Sequence, residues 1–199
     1  MDCIQNLVQI KKLLSTEELG FIVHDVSEQL VSSEGDVLGL LNTITEISPT
    51  PVEDLALPVL MEQLPDRPPP REDTKAQARI TSALAALRTI CAHPVLFEKL
   101  VIRLSTKIDL VATAEGTGEM ASAYICIILS TLSGLLNEKL EKGHADVGKY
   151  VERLVPALYS LFLRRIGEDE SMEEIKIDIK VVDSAAEIIS LVVSALPAE

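Results

Sequence analysis

The chain has 199 residues, of which 47% are apolar and only 3% aromatic, and it contains no tryptophan. That length suits one domain, or about four to five helix pairs, and an aliphatic core favours helices over an all-β fold. A net charge of −13 makes phosphate backbones and anionic membranes unfavourable direct partners and favours basic protein surfaces.

The three cysteines, Cys3, Cys91 and Cys126, are odd in number and far apart. No pair has the close spacing of a zinc or redox motif. They are typical of reduced thiols, which predicts a cytoplasmic and nuclear protein. The first residues, 1–6, carry no basic region before an apolar run, so we expect no signal peptide.

The N-terminal quarter predicts three helices. Apolar spacing indicates the first over 2–14. Ser15 and Glu18 have the spacing of a capping box, which starts a helix that runs to about Ser32. Asp36 then caps a short helix that ends at Ile47.

Thr50, Pro51 and Glu53 predict the next helix start. Threonine is a favoured cap, proline suits the first helical position, and the glutamate reaches back to the cap. We expect this helix to end before Pro65.

Three helical phrases, 55–64, 96–104 and 151–163, are each followed by a loop and a second, longer apolar helix. Their spacing of roughly 40 to 55 residues is the period of stacked helix pairs. Pro58 and Pro156 occupy corresponding places in the first and third phrases, where each should bend its helix. Such units can bury their apolar faces only against neighbouring units, which favours an elongated scaffold over a pocket enzyme.

The segment 65–73 contains four prolines among charged residues, which predicts an exposed, stiff loop. Its PxxP pattern could instead dock on an aromatic groove, but a rigid connection is the favoured interpretation. A helix over 74–92 follows, and we expect five of its residues to face the core. These are Ile80, Ala83, Leu84, Leu87 and Ile90.

Downstream, the pattern predicts helices over 95–111, from about 118 to Glu141, and over 147–166, with Gly143 as a stop signal. The uncharged stretch 120–137 is long enough to cross a bilayer, but a buried central helix is the favoured interpretation.

The last helix is predicted from about Ser171 to just before Pro197. Within it, 175–182 alternates apolar and polar residues and could form a strand. No other segment alternates in this way, so such a strand would have no partner to pair with. We therefore interpret it as helix.

Candidate chemistry is sparse. Cys91 and His93 could supply two metal ligands, but a third and fourth are not evident, and a buried helical cysteine beside a helix-ending histidine is the favoured interpretation. His24 with Asp25 resembles a pair used by metal phosphohydrolases, but we discount it because the remaining histidines, His93 and His144, sit in loops. We predict no catalytic residue, no metal ligand and no cofactor, and the partner-binding residues stay unknown.

Two further features have structural and functional interpretations. Cys126 lies in the most apolar helix, where burial suppresses thiol reactivity. The acidic run 168–174 is either a solvated loop or an edge that recruits a basic partner. Arg164 and Arg165 precede it near a helix end, where positive charge is favourable.

The predicted fold is an all-α HEAT-type α-solenoid of about four helix pairs with no sheet. It forms a single helical-repeat domain over 1–199. Its divisions are leading helices over 1–48 and repeats over 50–92, 94–142 and 146–197.

Two stretches, Leu57–Arg67 and Leu84–Leu110, resemble the Mms-nineteen/Met-eighteen family, and Ser33–Leu41 is similar to it as well. The resemblance is clearest over 33–111. It implies a HEAT-repeat adaptor of cytosolic iron–sulfur protein assembly, linked to DNA repair and transcription, with assembly components and apoprotein clients as partners. Other HEAT or armadillo scaffolds, such as transport receptors or phosphatase scaffolds, stay open as alternatives.

The family's members are several times longer than this chain, which suggests a fragment. The resemblance places the docking surface for assembly partners mainly in the family's C-terminal part, which an internal slice would lack. Exposed end repeats would also promote self-association.

Overall fold

The computed structural model describes residues 14–32, 37–113, 118–166 and 178–196, and every regular element in these ranges is helical. The all-α prediction is confirmed. The helices are α1 (Thr16–Ser32), α2 (Val37–Ile47), α3 (Pro49–Pro51), α4 (Leu57–Glu62), α5 (Thr74–Ile90), α6 (Pro94–Thr113), α7 (Gly118–Glu141), α8 (Val151–Ile166) and α9 (Ile179–Ser194). A π-helical segment, Val52–Ala56, joins α3 to α4, and a 3-10 segment, Val147–Tyr150, precedes α8.

The chain divides into two compact units. The first unit comprises Met1–Leu64 and Thr74–Phe97, and the second comprises Pro65–Asp73 and Glu98–Glu199. The solenoid of about four pairs is compatible with the order of the helices, and its division into repeats stays a prediction. The predicted helix over 2–14 falls almost wholly outside the described residues.

In the first unit, α1 packs against α2, the π-helical segment and α5. Its predicted capping box is confirmed. The Ser15 N–H donates to Glu18 Oε2 at 2.7 Å, and the Glu18 N–H donates to Ser15 Oγ at 3.2 Å. These bonds stabilise the carboxylate, so the backbone N–H and then the hydroxyl of Ser15 lower the pKa of Glu18.

The next helix start is two residues earlier than predicted. Ser48, in an extended conformation, is the residue before the helix, and Pro49 takes the first position. Proline suits that position because its missing N–H would have no helical partner there. Thr50 therefore lies inside the helix, and its predicted role as the cap is wrong.

The π-helical segment explains how the first unit accommodates Pro58. Proline cannot donate a backbone hydrogen bond, and its ring pushes against the carbonyl one turn back. Just before it, the Leu57 N–H donates to the carbonyl of Val52, five residues earlier instead of four. The helix thus widens where the sequence predicted a bend.

The third phrase handles its proline differently. Pro156 lies inside α8 with an exposed side chain, and α8 is an α-helix throughout. α8 and α9 have 16 residues each, so the second helix of this pair is not the longer one.

The apolar side of α5 is the one the spacing predicted. All five expected residues are buried, together with Ala86. The helix ends at Ile90, two residues before the predicted end.

In the second unit, α9 packs against α7, α8 and the 3-10 segment. Leu129, near the middle of α7, has no exposed surface. By length and composition α7 could cross a membrane, and 56% of its most apolar window is buried within the chain. A core helix passes the same test.

Two glycines shape the end of α7 and the pairing of the last helices. Gly143 has φ +70°, a left-handed conformation that favours glycine at a helix stop, as predicted. A Cβ on Gly148 would lie 3.1 Å from the carbonyl oxygen of Ala195, beyond the end of α9. That helix starts at Ile179 with Asp178 as its cap, later than predicted, and residues 175–177 lie outside the described ranges.

Candidate functional site

The metal candidates of the first unit do not form a ligand set. His24 and Asp25 are exposed on α1, and Asp25 accepts a hydrogen bond from the Gln29 side chain at 2.9 Å. Cys91 is fully buried just after α5, while His93 is half-buried beyond it. Among the described residues no group of three or more histidine, cysteine, aspartate or glutamate side chains could hold a metal ion.

Cys126 is half-buried on α7, less enclosed than its apolar surroundings predicted. Burial, followed by the Asp178 carboxylate, raises the pKa of the thiol, although Lys180 opposes this effect. A thiol with a raised pKa is a weak nucleophile at neutral pH. Cys3 lies outside the described residues.

His144 belongs to a polar cluster around a buried lysine that the sequence did not predict. We define this Lys139 cluster as Lys139, His144 and Asp146. Lys139 Nζ lies 2.9 Å from Asp146 Oδ2 and 3.3 Å from His144 Nδ1, and its side chain has no exposed surface. The Asp146 contact has the distance of a charge-assisted bond but not the alignment of a hydrogen bond, so it is mainly an ionic attraction.

The Lys139 cluster fastens the turn between α7 and the 3-10 segment. The His144 N–H donates to the Lys139 carbonyl at 2.9 Å, which closes the turn around the side chain. Nearby, burial raises the pKa of Tyr150 to about 12, with Asp146 and Glu98 adding to the effect. Because the ammonium is enclosed, the arrangement suits a structural lock more than a reaction centre.

The segment 65–73 is a loop with six of its nine residues exposed, as predicted, but it is fastened to the helices beside it. Pro68 is buried and Pro65 half-buried, so the two prolines of the PxxP pattern do not present a free face. The Tyr124 hydroxyl donates to the Pro65 carbonyl at 3.1 Å. Two ion pairs join the segment to α6 and α7, Asp66 with Lys107 and Arg71 with Glu119.

Tyr124 is the buried anchor of this segment. Its side chain lies in the interior of the second unit, with only the hydroxyl reaching the loop carbonyl. Burial, followed by the Asp66 carboxylate, raises the pKa of Tyr124 well above its usual range. The phenol therefore stays protonated and keeps its role as a donor.

Large apolar side chains are exposed on both units. Phe21 on α1 is 79% exposed, the highest value among the exposed large apolar residues described. On α8, Tyr159 and Leu163 are each 56% exposed, and the Tyr159 ring stacks on Phe162 with centroids 6.0 Å apart. Exposed aromatic residues are enriched where proteins bind one another.

The predicted acidic run 168–174 lies outside the described residues, as do the side chains of Arg164 and Arg165. Its two interpretations stay predictions.

The family model described as "RNAPII transcription regulator C-terminal", MMS19_C, matches residues 83–199. No curated protein and no solved structure matches the chain significantly. The match confirms the family that the sequence resembled, but it shares only 83–111 with the region where the resemblance was clearest. The matched residues belong to the model of the family's C-terminal region, and the presence or absence of a docking surface for assembly partners stays a prediction.

Proposed function

Because the chain belongs to the MMS19 family of RNAPII transcription regulators, we propose that it is a non-catalytic protein-binding scaffold that helps target the cytosolic iron–sulfur assembly machinery to apoproteins. The proposed clients include enzymes of DNA metabolism. The observation that carries the proposal is the family match over 83–199, which includes most of the second unit.

The shape of the described elements supports a binding role. Both units are built of helices whose outer faces keep large apolar side chains exposed, including Phe21 and Tyr159. Helical scaffolds bind partners through such faces and not through a deep pocket. The net charge of −13 favours partner proteins with basic surfaces.

The scaffold is proposed to hold no cluster of its own. An iron–sulfur cluster usually needs four thiolates, and the sequence has three cysteines. Cys91 is enclosed in the first unit and Cys126 carries a raised thiol pKa. Anaerobically purified protein should therefore contain less than stoichiometric iron and lack the visible absorption of a cluster.

Affinity purification from the native cell, followed by mass spectrometry, tests the proposal. We expect components of cytosolic iron–sulfur assembly together with apoproteins, in both cytoplasmic and nuclear fractions. Recovery of transport cargo or phosphatase subunits without assembly components would instead identify another kind of helical scaffold. Stoichiometric bound iron would contradict the proposal that the scaffold holds no cluster of its own.

A further inference from the structure

The outer face of α1 combines an exposed aromatic ring with negative charge. We define it by six of the exposed residues of α1, which are Glu17, Glu18, Phe21, His24, Asp25 and Glu28. The chain has only three phenylalanines, and Phe21 is 79% exposed, whereas Phe97 is fully buried. A large apolar ring left in water adds no buried apolar area to the first unit and is available to a partner.

Part of the charge on this face has a structural explanation. Glu18 completes the capping box with Ser15, and carboxylates in a first turn are favoured by the helix dipole, which also accounts for Glu17. Acidic residues at these two positions would stabilise α1 even if it bound no partner.

The rest of the charge is only partly explained within α1. Asp25 and Glu28 lie three residues apart, where like charges repel, and Glu28 is near the end of the helix, where the dipole disfavours a carboxylate. The Gln29 side chain donates to Asp25 Oδ2 at 2.9 Å, which offsets part of this cost at Asp25 only. α1 contains no lysine or arginine that could balance them. Residues that lower the stability of a helix are typical of functional surfaces.

We propose that the outer face of α1 binds a basic segment of a partner protein, with Phe21 entering an apolar recess between lysine or arginine side chains. The commitment to a basic partner comes from charge complementarity. Four carboxylates surround the ring within one side of a 17-residue helix. A central aromatic residue with a charged rim is the arrangement found at protein interfaces, where the ring contributes affinity and the charges contribute association rate and specificity.

This inference rests on the proposed scaffold function, since it names the chemistry of one partner. It adds a surface on the first unit, whose helix α1 lies outside the residues matched by the family model. The partner is a cationic amphipathic segment, not a phosphate-bearing or anionic ligand, which this face would repel.

Fluorine NMR on the full chain tests the proposal directly. With fluorinated phenylalanine the protein has three labelled rings, and a Phe21→Leu variant assigns the resonance of Phe21. The probe is an 18-residue helical peptide of lysine and leucine, compared with a glutamate and leucine peptide of the same pattern. We expect the lysine peptide to shift Phe21 and leave the buried Phe97 unchanged, and the glutamate peptide to shift neither. The half-buried Phe162 on α8 reports general adhesion to apolar surfaces.

Matched variants distinguish the contribution of the carboxylates to binding from that of the Phe21 ring. Phe21→Ala should weaken binding of the lysine peptide at least about tenfold. The double change Glu17→Gln with Glu28→Gln should weaken binding of the lysine peptide about tenfold and make that binding less dependent on salt. The control is Glu141→Gln with Glu152→Gln, which makes the same charge change at exposed sites of the second unit and should leave the binding unchanged. Glu28→Gln alone should also raise the melting temperature, as expected for a carboxylate near a helix C-terminus.

Several outcomes would overturn the proposal. Equal binding of both peptides, a shift at Phe162 without one at Phe21, or wild-type affinity in Phe21→Ala would each do so. A shift of Phe21 that depends on protein concentration without peptide would assign the face to a second copy instead. In native-cell purification, loss of partners from Phe21→Ala alone supports this face, whereas absence of assembly components from the wild type contradicts the proposed function itself.

Discussion

The second unit fastens two connections by opposite means. The segment 65–73 is held at its edge by the pair of Arg71 and Glu119, whose side chains are 66% and 78% exposed, and by the pair of Lys107 and Asp66, whose side chains are 14% and 71% exposed. The turn after α7 is held by Lys139, whose side chain is 0% exposed. Exposed ion pairs contribute about 0–1 kcal/mol because water screens them. A buried pair depends on both partners, because removal of one leaves a desolvated charge.

A similar ion pair therefore contributes differently to the free energy of unfolding in each place. At the first connection, loss of a pair frees a surface segment that Tyr124 still anchors. At the second, loss of Asp146 leaves an enclosed ammonium beside His144. Stability should therefore be sensitive at the turn and tolerant at the proline-rich segment.

The largest expected effect is in the helix that serves both connections. Leu129→Asp places a carboxylate in the fully buried middle of α7, and we expect a loss of several kcal/mol against a total of about 5–15 kcal/mol, enough to unfold the second unit. Circular dichroism melts check it. Ser130→Asp, at the neighbouring exposed position, should melt near the wild-type temperature. An unchanged melt for Leu129→Asp would contradict the core position of α7.

The contrast between the connections is tested by removing one carboxylate from each. Asp146→Ala should lower the free energy of unfolding by about 3–5 kcal/mol because it removes the carboxylate paired with the enclosed Lys139, and Glu119→Ala, in a pair exposed on both sides, by no more than about 1 kcal/mol. Urea denaturation of both variants measures the difference. Replacing Lys139 by methionine together with Asp146→Leu should recover most of the loss, since neither charge then stays buried. Equal losses for the two single variants would remove the distinction.

A smaller effect is expected at the Tyr124 anchor. Tyr124→Phe removes the hydrogen bond to the Pro65 carbonyl and should cost about 1 kcal/mol. Trypsin cleavage after the exposed Arg71 should become about fivefold faster, because the segment then opens more often. The bond after Arg67 is protected by the proline that follows it. Unchanged cleavage would show that the ion pairs alone hold the segment.

The smallest effect at neutral pH is at Tyr150 near the turn, because this effect develops only in alkaline solution. The pKa of Tyr150 is about 12 in the folded chain, against about 10 in an unfolded one. The folded state thus keeps a proton that the unfolded state loses, and stability that is complete below about pH 10 declines as the pH rises toward 12. Tyr150→Phe should flatten this decline, as measured by urea denaturation at each pH. An identical slope in the variant would contradict it.

Local signals were the predictable part of this fold. The capping box of Ser15 and Glu18 and the buried side of α5 depend on spacing within a few residues, so the sequence alone predicted them. Thr50 was misjudged because Ser48 and Pro49 carry the same kind of start signal two residues earlier. Local propensity does not choose between two adjacent starts.

The Lys139 cluster and the burial of Pro68 could not be predicted in the same way. Each depends on how a turn returns over a helix, which brings together groups without a regular spacing. A lysine near the end of an apolar helix, followed by a short turn with histidine and aspartate, is a signal that could have suggested the cluster. Phe21 was not singled out from the sequence, although helical spacing places it on the same side as Glu17 and Asp25.

The π-helical segment has a consequence for the length of this helix in other members of the lineage. A wide turn holds one residue more than a regular α-turn, so the stretch 49–62 carries one more amino acid than an α-helix of the same span needs. A relative in which another residue replaces Pro58 can dispense with the extra one without disturbing either flank. A one-residue gap in an alignment at 52–56, paired with loss of that proline, would mark where the insertion arose.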